Sequence, residues 1–402
     1  MALAGDLPVT RLIHTADWQI GKPYGTVPDE QKRFRLQQER IAAVGRIREL
    51  VRLHQAQLVL VAGDLFDSPT PAAPAVLEVL EAIGEMEVPV LVIPGNHDHG
   101  AAGTVWHRDD FLRQQRQFAP NLHLLLDRQA LVLEQAVLLP CPLLRKQDSN
   151  DPCQWLQEVD WSQLPDDRPR IVLAHGGVQG FGGRDYEADE EAHAGANNLI
   201  DLKALPADQI DYIALGDWHN LKQVSDRAWY PGTPEPDRFD QGEDNQRGQV
   251  LLVELQRGAA PSVSPQSTGR YRWHNLVFRF SGDADLDRFE RQLEELTAGR
   301  VARDLLRLQV SGSLSLAGHR RYQQLLDDLQ DRLLRLRIKG ECQQAPEAEE
   351  LEQLTARSED PLIARVAQQL QHRLSREGDP SSEEAARLRT ALCELFRYAT
   401  QL

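Results

Sequence analysis

Short apolar runs that stop abruptly at polar residues set the pattern of the first half of the chain. Leu12-Ile13-His14 runs into Asp17-Trp18-Gln19, Leu58-Val59-Leu60-Val61 into Gly63-Asp64-Leu65-Phe66-Asp67, and Val90-Leu91-Val92-Ile93 into Gly95-Asn96-His97-Asp98. Ile171-Val172-Leu173-Ala174 then meets His175, and Tyr212-Ile213-Ala214-Leu215 meets Gly216-Asp217-Trp218-His219. Continuous runs of this length predict strands buried on both faces, as in sheets covered by helices. The ends of such strands hold loops in fixed positions, which is where α/β proteins gather ligand sites. One Asp or His beside a strand reads as a capped turn or a satisfied core residue; five in series read as a site.

The rhythm changes near residue 265, after Gly248-Gln249-Val250-Leu251-Leu252-Val253, which predicts a closing strand. Before that strand, Trp229-Tyr230-Pro231-Gly232-Thr233-Pro234-Glu235-Pro236 predicts a rigid, ordered loop at the sheet edge, because proline fixes backbone angles and gives up amide donors. Gly176 to Asn198, rich in glycine and acids, reads as a substrate-gating loop or a plain surface excursion. Beyond the boundary, alternation at Leu276, Phe278 and Phe280 predicts a strand and the spacing of Leu286, Phe289, Leu293 and Leu296 a helix. Leu306, Leu308 and Val310, then Tyr322, Leu325, Leu326, Leu329 and Leu333, then Leu334, Leu336 and Ile338 complete a β-α-β-α-β unit. The polar segment 341–360 reads as a linker. It leads to two amphipathic helices, one with Ile363, Val366, Leu370 and Leu374 on one face. The other follows the break at Gly378-Asp379-Pro380, opens on a Ser381 to Glu384 capping box and carries Leu388, Leu392, Leu395 and Phe396. The expected organisation is a catalytic domain over 1–265, a small domain over 266–340, the linker, and a helical hairpin over 361–402.

Composition narrows the function classes. The formal net charge is -16, from 45 Lys and Arg against 61 Asp and Glu. That balance argues against a freestanding high-affinity DNA binder, since counterion release needs phosphate-facing cations, yet it permits a local track or one supplied by a partner. Lys22, Arg108 and Arg184 are the candidate phosphate contacts. The four cysteines form no CxxC pair, the N-terminal residues have no signal-peptide pattern, and no apolar run approaches a spanning helix, so a cytoplasmic protein is expected.

The residue types point to metal-assisted hydrolysis. A carboxylate such as Asp64 has two oxygens and a charge with which to bridge two divalent cations, and Asn and His complete each shell as neutral ligands. Two ions roughly 3.5–4 Å apart activate water and neutralise the attacking and leaving oxygens of an in-line displacement at phosphorus. No thiol nucleophile or Walker loop offers another route. Trp18 and Trp218, each between two candidate ligands, read as packing wedges; His14 as a core or supporting residue; His99 as solvated or touching substrate; His193 supports no assignment.

With these blocks in place the sequence resembles the calcineurin-like metallophosphoesterases, and among them the SbcD-like DNA repair nucleases, whose motif order is D-x-H, GDxxD, GNHD, H and GHxH. The second, third and fourth blocks match. The resemblance implies an α/β fold, a metallophosphoesterase β-sandwich flanked by helices, with a small α+β capping domain that helps select substrate and a C-terminal helical hairpin. It implies a first metal held by Asp17, Gln19, Asp64 and His219, a second held by Asp64, Asn96, His175 and Asp217, and His97 as the catalytic histidine. Gln19 stands where the family has His, so it either ligates through its amide oxygen or orients a water. Asp217 stands where the last motif has its first His. Both changes add hard oxygen donors, which favours Mn2+, with Mg2+ as the second choice. The implied partners are DNA and an SbcC-like coiled-coil ATPase gripped by the hairpin. The helix after Pro74, with Val76, Leu77, Leu80 and Ile83, either forms a homodimer bundle or covers the sheet. A phosphatase or cyclic-nucleotide phosphodiesterase is the enzyme alternative, and a DNA-end-binding scaffold the non-enzyme one.

Overall fold

The computed structural model describes residues 8–180, 197–239, 246–297, 300–346, 348–378 and 382–401. Arg184, His193, Ser381, Asp379, Pro380 and most of the glycine-rich 176–198 stretch lie outside them. The chain forms two compact units, Met1–Arg270 and Tyr271–Leu402.

The first unit runs β1 (Thr10–Thr15), α1 (Glu30–His54), β2 (Leu58–Ala62), α2 (Ala73–Gly84), β3 (Val90–Ile93), α3 (Asp109–Phe118) and β4 (Leu122–Leu124). It continues through β5 (Leu131–Val132), β6 (Val137–Cys141), β7 (Arg170–His175), β8 (Gly177–Val178), β9 (Leu199–Ile200), β10 (Tyr212–Gly216), β11 (Lys222–Gln223), β12 (Ala228–Tyr230), β13 (Gln249–Leu255) and β14 (Ser262–Ser267). One sheet has the order β14-β13-β1-β2-β3-β4, with β1 to β4 parallel. The other has the order β11-β12-β10-β7-β6-β5, with β6, β7, β10 and β12 parallel. Every site block sits at the carboxyl end of one of these parallel strands.

Burial on both faces explains the unbroken apolar runs. Leu12, Leu58, Leu60, Leu91 and Ile93 meet Leu138, Ile171, Leu173 and Tyr212 between the sheets. On the outside of the first sheet, Ile13, Val59, Val61 and Val92 pack under Val44 and Ile47 of α1 and Val76, Leu80 and Ile83 of α2. Of the α2 stripe, Val76, Leu80 and Ile83 cover the sheet, while Leu77 is half-buried outside this cluster. His14 pins the two sheets together: its ring nitrogens lie 2.9 Å from the Tyr212 hydroxyl and 3.1 Å from the Leu215 carbonyl. Burial lowers its pKa to about 3, so it is neutral, donating to Leu215 and accepting from Tyr212.

In the second unit β15 (Arg272–Phe280), α4 (Leu286–Thr297), β16 (Asp304–Leu314), α5 (Leu316–Arg332) and β17 (Arg335–Gly340) form the β-α-β-α-β unit, as a parallel sheet in the order β15-β16-β17. Phe278, Phe280, Phe289 and Tyr322 cluster in its core. The described residues of segment 341–360 are structured and do not form the open linker expected. They hold β18 (Gln343–Gln344), paired with β16, and α6 (Ala348–Ala356). The buried Leu354 of α6 packs with Ala367 of α7 (Pro361–Arg376) and Leu392 of α8 (Glu383–Gln401), making three helices where a hairpin was expected. Arg389 donates to the Ser281 carbonyl at 2.9 Å, tying α8 to the sheet of the same unit. The expected α7 stripe divides: Ile363 and Leu370 pack with α6 and α8, Leu374 is half-buried, and Val366 is exposed, as is Leu362 outside the stripe. No helix among the described residues is long and apolar enough to cross a membrane.

Candidate metal centre

Four of the candidate ligands sit on strained backbone. Among the described residues eight non-glycine positions have positive φ, and Asp17 (54°), Gln19 (43°), Asp64 (53°) and Asp217 (108°) are four of them. Such conformations cost on the order of 1–3 kcal/mol each and persist where surrounding bonds fix them. Those bonds are visible. Asp17 and Gln19 donate their amides to the carbonyls of Gly63 and Asp64 at 3.1 and 2.9 Å, lacing the β1 loop to the β2 loop. Arg40 of α1, fully buried, donates to the carbonyls of Trp18, Asp17 and Glu235 at 2.7, 3.0 and 3.2 Å and to the Thr233 hydroxyl at 3.1 Å. The proline-rich segment after β12 is therefore buried beneath the site, with Thr233, Glu235 and Asp237 inaccessible, and is not a sheet-edge loop.

Asp98 clamps two motif loops. Its carboxylate accepts from the Phe66 amide at 3.0 Å and the Gly95 amide at 2.8 Å. Asp98→Ala leaves both buried donors unpaired, a loss of roughly 1–3 kcal/mol for each. Its unfolding midpoint in urea should drop accordingly, and a midpoint equal to that of the unmodified protein would remove the clamp.

The structure brings Asp17, Gln19, Asp64, Asn96, His175, Asp217 and His219 together across both sheets. Asp17, Asp64 and His175 present ligand atoms within 4.8 Å of one another, all buried. His175 Nδ1 donates to the Ala62 carbonyl at 2.8 Å, and Nε2 faces only oxygens, the Asn96 carbonyl at 2.9 Å, Asp64 at 3.7 Å and Asp217 at 3.8 Å, so Nε2 also carries a proton that an entering cation must displace. Gly63 leaves room for this ring, since a Cβ there would lie 2.2 Å from His175 Nδ1. On the other side His219 Nε2 lies 3.9 Å from Asp17, and the Asp217 amide donates to the Asp17 carboxylate. His97 donates its amide to Asp64 at 2.9 Å, and its ring nitrogens lie 3.1 Å from the Asp67 carbonyl and 4.0 Å from the Asp64 carboxylate.

The electrostatics show what the residues fit. Burial opposes a charge on His175, but the carboxylates of Asp64, Asp17 and Asp217 outweigh it and raise the ring to about 9. Three carboxylates thus surround a position short of positive charge, with hard oxygen and imidazole donors aimed at it, which is the donor set of a divalent cation.

Reading strand ends missed the residues behind the ligands. Asp237 is fully buried, 3.0 Å from His219 Nδ1, and receives Arg238 at 3.0 Å and Arg247 at 3.4 Å. Although burial works against ionisation, Arg238, His219 and Lys22 hold it well below the carboxylate range. The carboxylate fixes the ring so that Nε2 faces the site, the usual support of a metal-binding imidazole. Burial then lowers His219 to about 3, so its ring is neutral. Lys22 is inside this network, with Nζ 2.9 Å from Gln19 Oε1 and 3.5 Å from Asp67 and Asp237. Arg108 is engaged with Asp110 and the Pro71 carbonyl. Trp18 is buried and bonded to Thr15 at 2.9 Å, a packing role, and Trp218 packs near Tyr230.

The model of the calcineurin-like phosphoesterase family matches residues 10–221, more than half of the chain and all five blocks. The SbcD component of the SbcCD nuclease of Escherichia coli (strain K12) is 25% identical over 290 residues, covering 63% of this chain and 67% of that protein. Its counterpart in Bacillus subtilis (strain 168) is 26% identical over 250 residues, covering 56% of this chain and 61% of its own length. The chain belongs to the calcineurin-like phosphoesterase family, with a mixed α/β fold and hydrolase chemistry at a divalent-metal site.

Proposed function

We propose that the protein is a manganese-preferring DNA nuclease, the phosphodiester-cleaving component of a DNA repair complex in the cytoplasm that includes a coiled-coil ATPase. The observation that carries this reading is the convergence of Asp17, Asp64, Asn96, His175, Asp217 and His219 at the ends of parallel strands from two sheets. Asp64, Asn96, His175 and Asp217 would hold one ion, and Asp17, Asp64 and His219, with Gln19 adjoining, the other. When bound, the ions supply an activated water and offset the charge that builds on the phosphate. The chain does the rest. Asp64 spans both half-sites, Asp237 and the Ala62 carbonyl set the imidazole tautomers, and His97 stands at the Asp64 edge, placed to steady a phosphate or protonate a departing oxygen.

DNA as substrate, and a partner, are supported by the likeness to the SbcD components of SbcCD nucleases and by the second unit. Its β-α-β-α-β part would act as the substrate-selecting cap. Leu362, 75% exposed, and Val366 one turn later on α7 give an apolar strip suited to the ATPase.

Incubation with linear duplex, hairpin and single-stranded DNA across a metal series, with and without the ATPase and beside a generic phosphomonoester, tests the reading. DNA should be cut fastest with Mn2+, because the donor set is rich in oxygen yet keeps two imidazoles. Faster hydrolysis of the phosphomonoester than of any DNA would favour a phosphatase, and no cleavage under any condition a scaffold.

A further inference from the structure

The neighbours of Gln19 allow its amide only one orientation. Lys22 Nζ lies 2.9 Å from Gln19 Oε1, and an ammonium has donors only, so the atom facing it must be the carbonyl oxygen. The amide nitrogen is thereby turned to His219, 3.4 Å from Nε2. His219 gives its Nδ1 proton to Asp237 at 3.0 Å, so Nε2 is an acceptor. Arg238 Nη2 also lies 3.0 Å from Nδ1, but the same nitrogen reaches Asp237 Oδ2 at 3.0 Å; ring and guanidinium crowd because both grip one carboxylate oxygen. Donation therefore runs one way, from Lys22 to Gln19, to His219, to Asp237. Lys22 is held in place by Asp67 and Asp237, each 3.5 Å away, with its side chain 17% exposed.

The two halves of the centre consequently differ. Around His175, Nε2 has three oxygens within 3.8 Å, those of Asn96, Asp64 and Asp217, two of them carboxylates. Around His219, Nε2 faces the Gln19 NH2, with the Lys22 ammonium behind that amide.

We propose that Lys22 is a positioning residue that keeps Gln19 out of the metal shell and makes the Asp17–His219 half of the centre the weaker one, so that the two half-sites fill in sequence. For Gln19 to ligate through oxygen, its amide must turn over and set its NH2 against the ammonium, donor to donor. A cation entering beside His219 must also displace the Gln19 contact and accept Lys22 as a positive neighbour. The inference rests on the two-metal reading above and adds the order and affinity of filling.

Manganese titration of the full chain without substrate, followed by calorimetry and by the electron paramagnetic resonance of free Mn2+, tests it. The unmodified protein should show one tight site and a second at least about tenfold weaker, the scale on which supporting residues alter metal affinity. Lys22→Met should tighten the second site by a similar factor, whereas Lys22→Arg, which keeps charge and donors, should not. Gln19→Leu should leave the second affinity no weaker, since the amide is not a ligand. Circular dichroism checks that each variant is folded, and the titration of the unmodified protein stands without any variant. Two sites of equal affinity, or a Gln19→Leu protein with a weakened second site, would overturn the role of Lys22 and leave the two-metal reading intact. Absence of manganese binding at any concentration would overturn both.

Discussion

Replacing Asp64 by alanine should strip both halves of the metal centre and reduce hydrolysis to the level of the chelator-treated enzyme. Asp64 is only 2% exposed, and both of its oxygens are committed to the site. Oδ1 accepts the His97 amide at 2.9 Å, while Oδ2 faces His175 Nε2 at 3.7 Å and His97 Nε2 at 4.0 Å. Loss of the carboxylate would remove the group that the proposed arrangement shares between both half-sites, and it leaves the His97 amide without its acceptor. Alanine is also a poor residue at φ 53°, so part of its effect would be strain on the order of 1–2 kcal/mol. Asp64→Asn separates the two causes. Asparagine tolerates the left-handed conformation and keeps a carbonyl oxygen for the His97 amide, but it carries no charge and offers only one ligand oxygen. Its melting temperature should stay close to that of the unmodified protein while metal content and turnover collapse. An Asp64→Asn enzyme that retained full metal content would show that the carboxylate does not bridge.

The parallel strands were legible because burial on both faces leaves no polar positions to break the apolar run. Val59, between α1 and the sheet core, and Leu60, between the sheets, are adjacent and equally buried. The second unit was legible for the opposite reason: its sheet has helices on one side, so Leu276, Phe278 and Phe280 alternate cleanly. β14 was not, since Ser262–Ser267 pairs at a sheet edge with exposed and half-buried polar side chains. α1 was hidden because its buried face includes Arg40 and Glu39, which a hydrophobic pattern counts as surface. The same blindness concealed the support of the site. Asp237 belongs to no apolar run, and its partner His219 lies well upstream in sequence, so only the folded chain brings them to 3.0 Å. Lys22 read as a phosphate contact because an isolated lysine after a loop gives no hint of the three oxygens that hold it. Segment 341–360 read as a linker because α6 buries only Leu354 fully, too little to stand out in an acidic stretch.

His97→Ala should keep both metals and the fold but lose about 10²–10⁴-fold in turnover, the range for a lost general acid or base. The imidazole reaches the Asp67 carbonyl through Nδ1 at 3.1 Å, which fixes that nitrogen as a donor, so Nε2, on the side of Asp64, can give a proton only from the doubly protonated ring. At 4.0 Å from the Asp64 carboxylate, Nε2 is beside the ligand set without an assigned place in either half-site. The side chain is 17% exposed, unlike the fully buried His175 and nearly buried His219, so a phosphate can approach it. Its backbone amide, not its ring, makes the 2.9 Å bond to Asp64, and alanine preserves that bond. The variant therefore separates chemistry from architecture. Metal stoichiometry and melting temperature should match the unmodified protein while kcat falls. A substrate with a better leaving group should recover part of the loss if the ring protonates the departing oxygen, and none if it only steadies the phosphate. A metal-replete, folded His97→Ala enzyme with near-normal turnover would remove His97 from the reaction. A variant that melted early and lost its metals would make the histidine a structural residue of the loop between β3 and α3.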